Sequence, residues 1–429
     1  MRIVTTARMR VALGGVALGA LVALTACVPF PEVAPSASPT LEPSSSPEPY
    51  AGPVVFVGDE LEHLLLTPDE IVGIVPEATE VGEVSPVLEQ ISDGGGLPAD
   101  PAICDALYAE QSLGAVGART VEWQVPTDPD YGFGRLLVLQ FADEAHAGAR
   151  MDQLARAAAD CADFTKEAPA SFDAVIPEDV DGVRAVAGTL IDAGGEYDWR
   201  AFQAFASTGN VIVQLWQPFT GDRTFDAEAA ALLLQTRTAE ARDTLIDELT
   251  ENPPVAEEDP SGDPGDVWNE WQIGVGGVGP LRLGDEVDAA VAAAEGAQVV
   301  EPEYDGGPYT LVAAEGSGSI LVQPVEGGTA VSSITVGNAR SLDETAQDGA
   351  VLPERAGIRV GAPISEAIAA YPGGTIVDVS SSSDDFYAVT TRDGQVFRFQ
   401  ADRDVLEDGA TIVGITVEDA TAVKPAVFG

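Results

Sequence analysis

A chain of 429 residues with 45% hydrophobic content is long enough for two or three domains and apolar enough to give each a core. Its charge is lopsided: 70 acidic against 21 basic residues give a formal net of −49, and the only lysines are Lys166 and Lys424. Such a surface repels phosphate backbones, which excludes nucleic acid as a partner; with no Asp-x-Asp-x-Asp-Gly loop to turn the acidity toward calcium, it reads as solubility and spacing from a negatively charged envelope.

The chain opens with Arg2, Arg8 and Arg10 and no acid, followed by an apolar or glycine run from Val11 to Leu24. A positive head and a short apolar stretch are the marks of a secretory signal, and the run is shorter than the ~20 residues that a spanning helix needs. Leu24-Thr25-Ala26-Cys27 closes it and resembles the bacterial lipobox. The resemblance implies a signal peptide over 1–26, diacylglyceryl transfer to Cys27, and cleavage that leaves Cys27 first. The expected location is therefore the extracytoplasmic face of the cell membrane, with the membrane itself as a partner through the lipid anchor. Residues 27–53 then form a Pro/Ser-rich tether, too poor in apolar side chains to fold by itself.

The first folded module is expected over 54–250. Thr67-Pro68-Asp69-Glu70 has the spacing of a capping box with proline at the first helical position. Gly117–Gln124 and Gly134–Phe141 read as strands, and Asp143–Asp160 as a helix with Ala147, Met151, Leu154 and Ala158 on one face. Strands follow over 183–191 and 198–206, Gly209-Asn210 turns into Val211–Trp216, and a long helix over 225–249 closes the module. The order predicts an α+β domain, a twisted and largely antiparallel sheet with helices on it. With Cys27 spent on lipid, Cys104 and Cys161 remain as an even pair in an exported chain, which predicts a disulfide; a metal site would need more soft ligands than these.

Several stretches of this module are similar to the PknH-type extracellular sensor domain of mycobacterial Ser/Thr kinases and related secreted lipoproteins: Leu64-Leu65-Leu66-Thr67-Pro68-Asp69-Glu70-Ile71, Asp100-Pro101-x-x-Cys104, Phe141-Ala142-Asp143-x-x-x-Ala147, and the late Gly209-Asn210-Val211-Ile212-Val213 strand. The resemblance covers about residues 61–249. It implies a sheet-and-helix domain with a cleft for an unidentified envelope ligand, in an actinobacterial envelope lipoprotein.

Acid, proline and glycine crowd 251–266, which reads as a linker. Beyond it an internal repeat emerges: Leu281-Arg282-Leu283-Gly284 recurs as Ile358-Arg359-Val360-Gly361, Gly296 meets Gly373, and Ser333-Ile334-Thr335-Val336 recurs as Gly414-Ile415-Thr416-Val417. Two units are expected, 267–346 and 347–429, each a short helix followed by strands. The pattern resembles tandem modules of beta-lactamase-inhibitor-protein type, which set a helical element on a four-stranded antiparallel sheet. That resemblance implies a concave surface that binds a protein.

No constellation for catalysis, cofactor or metal stands out. His63 and His146 have no second ligand at useful spacing and read as ordinary imidazoles. The run Gly274-Val275-Gly276-Gly277-Val278-Gly279 lacks the Lys-Ser/Thr of a phosphate loop and reads as a flexible lead-in to a strand. The acid pairs Asp384-Asp385 and Asp128/Asp130 read as solvated loops, and Trp199 and Trp216 as core or cleft wall around a hairpin. The functional expectation is a non-catalytic binder of an envelope ligand or protein. The alternatives are a wall hydrolase with an unrecognised carboxylate pair and an inhibitor acting through the repeats.

Overall fold

In the computed structural model the described residues are 49–90, 98–128, 132–193, 199–256, 259–314, 316–343 and 345–426. Cys27, the signal segment and most of the tether lie outside them. A 3-10 turn over Gly58–Leu64 leads into α1 (Pro68–Ile74), whose start is the expected capping box: the Glu70 N–H donates to the Thr67 hydroxyl at 3.3 Å, and the Thr67 N–H donates to the Glu70 carboxylate at 2.7 Å. After β1 (Val87–Gln90) and a 3-10 turn over Ala102–Leu107 come β2 (Gly117–Gln124) and β3 (Phe133–Gln140). Next is α2 (Glu144–Asp160), capped by the Asp143 side chain. Five strands follow: β4 (Phe164–Lys166), β5 (Ala168–Val175), β6 (Arg184–Asp192), β7 (Trp199–Thr208) and β8 (Val211–Phe219). The long helix α3 (Ala227–Glu251) ends this half.

Seven of these strands make one antiparallel sheet in the order β2-β3-β8-β7-β6-β5-β4. Strand alternation sends Trp123, Leu136, Val138, Val213 and Leu215 toward α3, and Leu137, Leu139, Phe205 and Ile212 toward α2. Cys104 and Cys161 are bonded, with Cα atoms 5.8 Å apart, which ties the Ala102–Leu107 turn to the end of α2.

The second half begins with a small meander, β9 (Ile273–Gly274), β10 (Gly277–Val278) and β11 (Leu281–Arg282). This corrects the reading of the glycine run as flexible. Its glycines allow close approach: a Cβ at Gly279, where φ is +52°, would lie 2.5 Å from the buried Trp271 ring. The acidic stretch before it is also packed, since Trp271 Nε1 donates to the Asp263 carbonyl and Arg282 to that of Pro260.

The first repeat unit then runs α4 (Val287–Ala293), β12 (Gln298–Val300), β13 (Tyr309–Val312), β14 (Ser319–Pro324) and β15 (Val331–Gly337). The second runs α5 (Ile364–Ala370), β16 (Thr375–Val379), β17 (Asp384–Thr390), β18 (Gln395–Ala401) and β19 (Ile412–Asp419). The glycines equated by the repeat share a left-handed backbone, φ being +82° at Gly284 and +86° at Gly361, +83° at Gly296 and +86° at Gly373. The two four-stranded halves join through β15 and β19 into one sheet of order β1-β16-β17-β18-β19-β15-β14-β13-β12. Both helices pack on the face carrying Leu311, Ile320, Ile334, Phe397, Phe399 and Ile415. The architecture is α+β throughout.

The last member of that sheet belongs to the first half of the chain. Residues 79–85 run beside β2, bridging Thr79 to Gln124 and Ser85 to Thr120; the chain then crosses over, and β1 pairs in parallel with β16, Leu88 opposite Val377. Arg119, 2% exposed, reaches the same junction from β2, donating to the Gly373 carbonyl at 2.7 Å and to Asp59 at 3.1 Å. Arg392 reaches back to Glu60 and to the Val55 carbonyl. The described residues accordingly form one compact unit, with Val377, Ala388 and Val396 sharing a core with Leu139, Met151 and Phe205.

Candidate functional site: a cleft around Arg135

Sheet register brings charge to a place where the pattern calls for apolar side chains. Arg135 on β3 is in phase with Leu137 and Leu139, so it points to the α2 side of the first sheet. In the row across the strands it has Glu122 of β2 on one side and Trp216 of β8 on the other, and its guanidinium carbon lies 5.1 Å from the centre of the Trp216 ring. In the next row Thr120, Leu137 and Gln214 are neighbours. Farther along, α2 and the Ala102–Leu107 turn cover this face, where Gln203 donates to the Leu107 carbonyl. Over the β2–β3 corner they leave a cavity of about 430 Å³.

Its walls come from both halves of the molecule. Glu110, Gln111 and Ser112 follow the disulfide-bonded turn, Gly82, Glu83, Ser85 and Val87–Glu89 come from the crossing segment, and Leu406 arrives from the loop between β18 and β19. Several wall groups are held by their own bonds: Ser112 donates to Glu110 at 2.8 Å, Thr120 to the Val87 carbonyl at 3.1 Å, and Gln111 to the Ala106 carbonyl at 2.8 Å. A cavity of this size with fixed polar walls suits a small molecule.

Arg135 itself is not satisfied by protein. Its Nε is buried and has no hydrogen-bond partner, and among the described residues the guanidinium forms no ion pair. Burial pushes its pKa below the usual guanidinium value, against the pull of Glu110, Glu122 and Glu89. The neighbouring buried arginine has its Nε in the same state but uses its terminal nitrogens within the protein: Arg150 donates to the Leu113 carbonyl at 3.1 Å, and burial lowers its pKa to about 10.

Other recesses offer less chemistry. A cavity of about 540 Å³ between α1 and α3 is lined by Ile74, Phe225 and Leu233, and its Glu70 is already engaged by Thr67 and Arg237. The helix-free face of the repeat sheet is half occupied: Val377, Ala388 and Val396 lie against the first half, leaving only the first unit's share of that face open.

The residues singled out from sequence are scattered. His63 meets Glu248 at 3.2 Å and is not among the residues that line the cleft. His146 is buried, with Nδ1 2.6 Å from Asp143 and Nε2 2.7 Å from the Val423 carbonyl, so it clamps the C-terminal segment onto α2. Two carboxylate readings need correction. Asp128 is not in a solvated loop but 3% exposed, taking the Thr220 N–H at 2.8 Å and pairing with Arg223 at 3.3 Å. Asp384 and Asp385 belong to β17, where the Ser341 hydroxyl accepts from the Asp385 N–H; Asp130 lies outside the described residues. Trp199 stacks on Tyr108 at 6.0 Å, while Trp216 forms part of the Arg135 row. Arg135 was missed, although a charged residue in phase with Leu137 and Leu139 was a visible signal.

No family model matches the chain, and no curated protein matches it. Among solved structures it is similar to the extracellular domain of PknH from Mycobacterium tuberculosis, at 15% identity and a TM-score of 0.28, over 48% of this chain and 99% of that one. It is also similar to a putative uncharacterized protein (Rv0999 ortholog) from Mycobacterium smegmatis, at 15% identity and a TM-score of 0.27, over 43% of this chain and 97% of the other. Overlap of this degree fixes neither fold nor function.

Proposed function

We propose that this chain is a non-catalytic binding protein of the cell envelope. Acyl chains on Cys27 hold it to the outer face of the membrane, and a small ligand occupies the Arg135 cleft. The observation that carries the binding reading is the half-buried guanidinium of Arg135, which lines a cavity of about 430 Å³ and makes no hydrogen bond or ion pair among the described residues. A guanidinium drawn partly out of water with no carboxylate bonded to it costs stability, and one that faces a cavity is placed to meet a ligand. The Pro/Ser-rich stretch after Cys27 serves as the spacer that this arrangement needs.

Two measurements test the reading. Cys27→Ala abolishes fatty-acid incorporation and releases the protein into the medium; retention of both would refute the anchor. Addition of a small-molecule envelope extract to the intact protein changes tryptophan emission, and Arg135→Gln removes the change. An extract response that survives Arg135→Gln places the ligand elsewhere.

A further inference from the structure

The charges around the cleft specify more than the presence of a ligand. Among the described residues that line it, the floor is the half-buried guanidinium of Arg135 and the rim is formed by exposed Glu83, Glu89 and Glu122 with half-buried Glu110. A plain anion that reached Arg135 would pass four carboxylates, and a divalent anion such as phosphate would be opposed most. A plain cation would be drawn to the rim but repelled from the floor. A neutral sugar would leave the guanidinium charge unanswered. A molecule carrying both signs, anionic at one end and cationic at the other, satisfies floor and rim together.

From this distribution we infer that the cleft binds an α-amino acid or short peptide that bears a free carboxylate and at least one side-chain ammonium. The carboxylate lies on the Arg135 fork, whose planar donors match a carboxylate in two parallel hydrogen bonds. The ammonium lies among Glu89, Glu110 and Glu122, the carboxylates that already act on Arg135 through space. Val87, Leu88, Leu137 and Leu406 line the same cavity and supply apolar contact for the aliphatic chain between the two charges. The excess of acid over base on the walls selects a ligand with more ammonium than carboxylate, such as one ending in lysine. The inference rests on the cleft being a binding site, as proposed above, and adds the class of ligand.

The test uses the intact protein at low ionic strength and reads tryptophan emission, with Trp216→Phe as the control that localises the signal, since the Trp216 ring lies over Arg135. The probes are L-lysine, the dipeptide Ala-Lys, cadaverine, which is lysine without its carboxylate, and glutarate. L-lysine or Ala-Lys binds about tenfold or more tightly than cadaverine and glutarate, the difference expected of one charge-assisted contact; which of the two binds better tells whether the source is a free amino acid or a peptide end. Arg135→Gln removes the preference for lysine over cadaverine. Glu122→Gln, at an exposed position on β2, weakens lysine and cadaverine alike and keeps that preference. Cadaverine binding as tightly as both lysine probes overturns the inference, and so does a preference that survives Arg135→Gln. Should Arg135→Gln fail to fold, the probe comparison on the native chain and on Glu122→Gln decides alone. Silence to L-lysine and Ala-Lys beside an extract response that needs Arg135 overturns the ligand class and leaves the cleft standing as a site. Silence to probes and extract overturns both.

Discussion

Thr335 of β15 and Thr416 of β19 are direct partners in the ladder that joins the two repeat units, and their hydroxyls are 2.8 Å apart. The repeat equates these two residues with each other. An antiparallel pair of equivalent strands has a two-fold axis normal to it, and here that axis passes between two equivalent threonines. The C-terminal halves are therefore related much as the subunits of a symmetric dimer would be, but within one chain.

The threonine pair is a measurable part of that join. Thr335→Val and Thr416→Val each remove one hydroxyl and leave the other without its partner. Each single change is expected to destabilise by about 1 kcal/mol, and the double change by less than the sum, since cross-strand Thr pairs contribute roughly 0.2–1 kcal/mol. Denaturant unfolding of the four proteins in the cycle measures the coupling; strict additivity would mean that the two hydroxyls do not interact.

Arg119 is a buried polar tie between the halves, through the Gly373 carbonyl. Its guanidinium donates to the carbonyls of Ala118, at 2.9 Å, and of Gly373, at 2.7 Å, and meets Asp59 and Glu62. A side chain at Gly373 would crowd the same place, a Cβ there lying 2.8 Å from the Asp59 carboxylate. Arg119→Ala is expected to cost about 1–3 kcal/mol, because it strands the carbonyls of Ala118 and Gly373, whereas Asp59 and Glu62 are exposed and stay solvated. Limited proteolysis should then cut first in 251–266, between the halves. Unchanged stability would show that β1 and the shared apolar core suffice without it.

The Cys104–Cys161 bond closes a loop of 57 residues that contains β2, β3 and α2. Replacing both cysteines by serine should lower stability by about 2–5 kcal/mol, much of it through a less constrained unfolded chain. Because Glu110, Gln111 and Ser112 follow the bonded turn directly, ligand affinity should fall with the bond as the cleft wall loosens. Thermal unfolding with and without reductant separates this effect from one of the serine side chains.

Acid should destabilise the fold through identifiable carboxylates. Burial alone would raise the pKa of Glu70, but the Thr67 N–H and hydroxyl and Arg237 outweigh it and hold the group below its ordinary 4.5. Burial likewise favours a higher value for Asp143, and hydrogen bonds from the His146 ring and N–H bring it below 3.8. A hydrogen bond from Arg403 does the same for Asp402. The folded chain binds these protons more weakly than the unfolded one, so their contribution is present above the ordinary values and is lost as pH falls through the folded ones. Asp385 has the opposite sign: burial first, then Asp378, Asp404 and Asp384, push its pKa up, so its ionised form opposes folding as pH rises. Asp143→Asn should lose less stability than the native chain between about pH 7 and pH 3, and Asp385→Asn should be more stable at neutral pH but not at about pH 3. Melting temperatures at the two pH values check both.

Much of the secondary structure was legible because its causes are local. The Thr67–Glu70 box, the strand Gly117–Gln124 and the helix capped by Asp143 each follow from residues within a few positions of one another. The repeat was legible for the same reason, since each unit carries its own glycines at the turns that need a left-handed backbone. Val87–Gln90 was missed: a four-residue strand with no hairpin partner gives no periodic signal, and its partner lies nearly three hundred residues away. The short strands Phe164–Lys166 and Gln298–Val300 escaped for want of length.

Chain chemistry alone was enough for the pairing of Cys104 with Cys161, the α+β class and the tandem units, since each rests on composition or on short-range spacing. The cleft is of another kind. Glu122, Arg135, Trp216, Glu89, Glu110 and Leu406 are spread over more than three hundred positions, and they meet only because β2, β3 and β8 pair in one register while β1 leaves that sheet for the repeat sheet. Charge and burial act through distance in space, so which carboxylates face which guanidinium is set when the two sheets come together.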